Sequence, residues 1–199
     1  MLQALDRHGL LLLSDARLPS VAGLVAGERV RGSWWGHPKG KTIYAVATGL
    51  EDDEGVTIAR LVDGKVTYVH RRLWPALAAV ACSDEPWQKR ALSPAARTLL
   101  AAVERAGELR TDHRGDGSLR KEAVLQLEQR LLVRSDEVHT ESGAHAKRLE
   151  AWTRWADRHV PPSARPPVEA ARRQLEQAVE SLGGGASLPW HDVARRRRR

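Results

Sequence analysis

Residues 41–70 constrain the fold more than any other part of the chain. Thr42, Tyr44, Val46 and Thr48 alternate with Ile43, Ala45 and Ala47. A period of two reads as a β-strand with its two faces in different surroundings. Glu51 to Gly55 is an acidic turn, and Val56 to Val62 reads as a second strand. Asp63-Gly64 is a two-residue hairpin signal, because glycine tolerates the positive φ of a type I′ turn. Lys65 to His70 returns as a third strand with Val66 and Tyr68 on one face. The expectation is a three-stranded antiparallel meander, covered by a helix over Leu73 to Ala81.

Helical spacing dominates elsewhere. Residues 1–30 read as helical with a break at Leu18-Pro19-Ser20, after which Val21, Leu24 and Val25 share a face. Three glycines and a proline make residues 31–40 irregular. Ser93-Pro94 starts a helix, since serine caps free N–H groups and proline fits the first turn. Leu99, Leu100 and Val103 line that helix, and Gly107 stops it. A short polar passage, 109–117, precedes a second helix marked by Leu119, Ala123, Val124, Leu127 and Leu131. Leu132 to Arg134 reads as a strand, Ser142-Gly143 as a turn and Ala146 to Leu149 as the return, with Leu149, Trp152 and Trp155 opening a closing helix. Ala156 to Val168 carries four prolines and reads as a linker. An amphipathic helix over Glu169 to Leu182 follows.

Composition narrows the setting. The single cysteine, Cys82, excludes an internal disulfide and a cysteine metal cluster. Leu10 to Leu13 is too short to span a membrane, and no secretory leader pattern opens the chain. A soluble cytoplasmic protein is expected. The net charge is +7, but Arg195, Arg196, Arg197, Arg198 and Arg199 supply five of it. The basic character therefore belongs first to the tail, which would bind any polyanion in a salt-dependent way.

The order helix, turn, helix, strand, turn, strand, helix over residues 93–157 resembles winged-helix DNA-binding domains. Ala123-Val-Leu-Gln-Leu-Glu-Gln-Arg-Leu-Leu-Val-Arg-Ser135 looks like a recognition helix running into a wing strand, with Glu137 to His145 as the wing. The likeness covers about a third of the chain. Thr111 to Gly117 departs from it, leaving one turn at most for the family's middle helix. The resemblance implies DNA contact through Arg120, Lys121, Gln126, Gln129 and Arg130 on the helix, and through His139, His145 and Lys147 on the wing. Projected at helical spacing, Glu128 falls on the outward face beside Lys121, Leu125, Gln129 and Leu132. A looser similarity links the hairpin and winged-helix order to bacterial crosslink-repair DNA glycosylases. Their glutamine pair has one intervening residue, whereas Gln126 and Gln129, like Gln174 and Gln177, are separated by two. No activity is carried over.

The expected architecture is α+β: a three-stranded antiparallel sheet with flanking helices (1–90), packed beside a winged-helix module (91–160), then a Pro-rich linker, helix and Arg tail (161–199). Two other functions stay open. An enzyme or small-ligand protein would place its site at Trp34, Trp35, His37 and Lys39, where rings could stack on a ligand and cations meet phosphate. A protein-interaction module would leave Leu125 and Leu132 exposed. His139-x-Glu141 with His145 lacks the spacing of a zinc protease. No nucleophile elbow or phosphate-binding glycine loop occurs. No catalytic residue, metal or cofactor is assigned.

Overall fold

A computed structural model describes residues 1–111, 117–139 and 145–191. It is an α+β protein with two small antiparallel sheets. The first half runs α1 (Leu2–His8), β1 (Leu10–Leu12), α2 (Val21–Ala26), α3 (Gly40–Glu51), β2 (Val56–Arg60) and β3 (Val66–His70). Helices α4 (Trp74–Ala81) and α5 (Pro86–Lys89) connect it to α6 (Pro94–Ala106), β4 (Glu108–Thr111), α7 (Gly117–Gln129), β5 (Val133–His139) and β6 (His145–Ala151). Helices α8 (Trp152–His159) and α9 (Val168–Ser181) follow.

The hairpin forms at Asp63-Gly64, and both residues have positive φ, 51° and 67°. Lys65 N donates to Val62 O across the turn at 2.9 Å. Gly64 also packs against Gln129: a Cβ there would lie 2.7 Å from Gln129 Nε2 and displace that side chain.

Residues 42–48 are a correction. They form the middle of α3, and the sheet takes its third strand from Leu10–Leu12, in the order β1-β3-β2. The alternating run also spaces Ile43, Ala47 and Leu50 at helical intervals, and those three side chains are the buried ones. Leu10–Leu12 shows no alternation because both faces of its sheet are covered. Leu10 and Leu12 enter one apolar cluster while Leu11 enters another.

Ser93 Oγ caps α6 by accepting from Ala96 N at 3.1 Å, as its position before Pro94 predicts. The polar passage after Gly107 supplies β4, an edge strand of the second sheet, whose order is β4-β6-β5. Its few residues, only one of them apolar, hide the period that would announce a strand. The first half therefore follows helix, strand, helix pair, hairpin, and the second follows helix, strand, helix, hairpin.

One continuous core crosses all three expected ranges. It joins Leu10, Leu77, Leu131, Trp152, Leu175 and Trp190. Helix α4 sits at its centre and packs against α8 and α9. The Pro-rich passage closes over this core with Val160 buried. No helix among the described residues is long and apolar enough to cross a membrane.

Candidate nucleic-acid interface

Helix α7 buries Ala123, Val124 and Leu127 against α6 and the second sheet. It then turns at Leu131, where φ is 52°, and enters a hairpin of two seven-residue strands. Its two ends have different surroundings.

The C-terminal end is locked to the first half of the chain. Glu128 is 6% exposed, and this corrects the outward placement that helical projection gives. Arg60 Nε of β2 donates to its Oε2 at 2.6 Å, and Lys147 Nζ of β6 donates to its Oε1 at 2.7 Å. Ser135 Oγ donates to the same Oε1. Burial pushes the Glu128 carboxyl upward, but Lys147, Ser135 and Arg60 together hold it below the ordinary range. Projection failed because it treats α7 as lying on one core, whereas β2 packs against its other side.

Three expected helix contacts are engaged here. Gln126 Oε1 accepts from Ser93 N at 3.0 Å, joining α7 to the start of α6. Arg130 Nη1 donates to Trp87 O at 2.6 Å. Gln129 rests against the turn at Gly64. Lys147, expected on the wing, is held by Glu128. Of these four, Gln129 and Arg130 reach Gly64 and Trp87 in the first half, while Gln126 and Lys147 bond within the second.

At the N-terminal end the described side chains begin at Arg120. Arg120 and Lys121 are exposed on the first turns of α7. His139 and His145 face each other across the outermost described pair of the hairpin. Their side chains lie outside the described residues, as do residues 140–144 and the arginines Arg195–Arg199. Sequence reading missed Arg110, exposed on β4 opposite Arg148. Recognising β4 as a strand would have put both on the sheet's outer face.

That outer face carries a lattice of charge. Asp136 pairs with Arg134 and with Arg148, the latter at 2.8 Å. Glu150 accepts from Arg158 at 2.5 Å and lies 3.6 Å from both Arg134 and Arg154. Burial raises the Glu150 carboxyl, but these arginines hold it below the ordinary glutamate range.

At the Trp34–Gly40 loop, His37 and Lys39 are already engaged. His37 Nδ1 accepts from Lys39 N at 3.1 Å, which leaves the proton on Nε2 to meet Glu28 Oε1 at 3.2 Å. Lys39 Nζ donates to Val25 O and Ala26 O at the end of α2. Trp34 packs partly against Ala22, Val30 and Ile43, and Trp35 remains outward at 64% exposed. On the interaction-module reading, Leu125 is exposed, whereas Leu132 packs against the α6–α7 core. No group of three or more His, Cys, Asp or Glu among the described residues could hold a metal ion.

Compared with protein-family models, curated proteins and solved structures, the chain matches none.

Proposed function

We propose that this chain binds duplex DNA, with the N-terminal half of α7 at the major groove and the β5–β6 hairpin along the backbone. The reading is carried by the contrast along α7: its C-terminal end is clamped by Arg60 and Lys147, while Arg120 and Lys121 stand exposed at the other end. Helices that read DNA in winged-helix and related proteins contact bases with their N-terminal residues, so the occupied end is the one such a role does not need. The sheet order β4-β6-β5 beneath α7, and the hairpin that follows it, support the same reading. The arginines of 195–199 would add sequence-independent, salt-sensitive affinity.

The test is anisotropy binding to duplex DNA over a salt series, with a chain ending at His191. Ending it earlier would strip Leu188 and Trp190 from the core. Retained binding is expected. Replacing Arg120 and Lys121 by alanine should weaken it and reduce the log–log salt slope by roughly 1–2. An unchanged slope, or loss of all binding with the tail, refutes α7 as the reader.

A further inference from the structure

Trp34, Trp35 and Tyr44 form an aromatic ladder on the surface. The two indoles stack with centroids 4.2 Å apart and planes 22° from parallel, and Tyr44 lies 5.5 Å from Trp35. Trp34 packs partly on the cluster of Ala22, Val30 and Ile43, while Trp35 and Tyr44 stay exposed, and large rings left facing water need a reason. The backbone beneath is fixed. A Cβ at Gly40 would lie 3.0 Å from Trp35 O and 3.3 Å from Trp34 O, so any larger residue would push the Trp-Trp turn away from the start of α3 by a few tenths of an ångström. Lys39 and His37 tie the same turn to α2 and Glu28. The platform is built before any ligand arrives, which lowers the entropic cost of binding.

Charge selects the ligand. From Arg29 to Leu50 the chain has no carboxylate, and the neighbouring Glu28 carboxylate is engaged by His37. Arg31 lies three residues before Trp34, and Lys41 three before Tyr44 on one helix face; both are exposed. Flat π surfaces beside cations fit a base attached to a phosphate backbone. A protein interface would instead deplete charge around its aromatic centre. Within its half, α3 holds the place that α7 holds in the other: the last helix before the hairpin.

The geometry points to the Trp34–Trp35–Tyr44 ladder as a stacking site for an unpaired nucleotide base, with Arg31 and Lys41 meeting the adjoining phosphates. This site shares a polyanion partner with the proposed role of α7 but does not depend on it. The experiment uses the full chain, a 12-nucleotide oligothymidylate and an abasic oligomer of equal phosphate number, at 150 mM salt. The tail contributes equally to both ligands. Trp35→Ala should weaken oligothymidylate binding about tenfold, the scale of a lost base–aromatic stack. Trp35→Phe should keep most of the affinity, and the abasic oligomer should bind weakly and alike to every variant. Replacing Arg120 and Lys121 should leave oligothymidylate affinity unchanged, which separates this site from α7. Equal binding of abasic and thymidylate oligomers, or an unaffected Trp35→Ala, overturns the inference. So does a Trp35→Ala chain that loses only self-association in sedimentation, which would make the ladder a contact between copies.

Discussion

The two halves of the chain share an order of elements and a strand order, yet their sheets are held in different ways. In each, the second strand of the hairpin lies in the middle, flanked by its partner and by an earlier strand. The first sheet is apolar on both faces. Leu10, Leu12 and Val69 face α4 and the shared core, while Leu11, Val56 and Tyr68 face the cluster beneath α3. The second sheet is apolar on one face only, where Val133, Leu149 and Ala151 meet α6 and α7. Arg134, Asp136, Arg148 and Glu150 occupy the other. The same topology thus serves as a scaffold with two apolar faces in one half and carries an ion-paired face in the other. What lies on the second face decides between them.

The largest expected effect tests the burial of both faces in the first sheet. Leu10→Ala and Leu11→Ala each remove a fully buried side chain, from opposite faces. Each should cost about 2–5 kcal/mol in denaturant unfolding. If either cost less than about 1 kcal/mol, that face would not be a core, and the contrast with the second sheet would fail.

The joint between the halves comes next. Glu128→Gln removes the charge that Arg60 and Lys147 share. Both cations are about a quarter exposed, at 27% and 28% of their side chains, so water can partly replace the carboxylate. A loss of about 2–3 kcal/mol is expected, below the value for a fully buried pair. The sign with pH follows from linkage. The folded carboxyl titrates below the ordinary glutamate value of 4.5, so as pH falls the unfolded chain takes up the proton first. The contribution is whole above that value and is lost as pH falls through the lower folded one. Acid unfolding followed by circular dichroism should show a shallower limb for Glu128→Gln than for the natural chain. An identical limb would mean that the ion cluster does not hold the joint.

The smallest effect concerns the charged face. Arg148→Ala removes a side chain left 40% exposed, paired to Asp136 at 2.8 Å. Its thermal unfolding should correspond to a loss of under about 1 kcal/mol. A loss equal to that of Leu10→Ala would make the lattice as integral as the apolar faces and remove the distinction.

Local chemistry wrote several of these features into the sequence. The Asp63-Gly64 turn needs positive φ, the Ser93-Pro94 start needs a cap, and α6, α7 and α9 each place apolar residues on one stripe. These signals act over a few residues, so they survive without knowledge of the fold. The Trp34–Gly40 segment also stood out, because clustered tryptophans among glycines are uncommon. Its Lys39 and His37, however, expected at a ligand, are engaged by α2 and Glu28.

Partner choice was decided only in three dimensions. Residues 42–48 satisfy a strand period and a helix period at once. Leu10–Leu12 supplies the third strand on the far side of β3 from β2, while Ile43, Ala47 and Leu50 find apolar clusters to bury a helix face against. That ambiguity also concealed the order common to both halves. The outward reading of Glu128, and of Gln129 and Arg130 as free contacts, failed for the same reason, while Gln126 is engaged by Ser93 within its own half. A helical projection knows one buried face, and β2 and α5 provide a second neighbour from more than thirty residues away. Sequence fixes what short stretches can form; long-range packing fixes which of those forms finds a surface to bury against, because burial is a property of pairs of elements rather than of either alone.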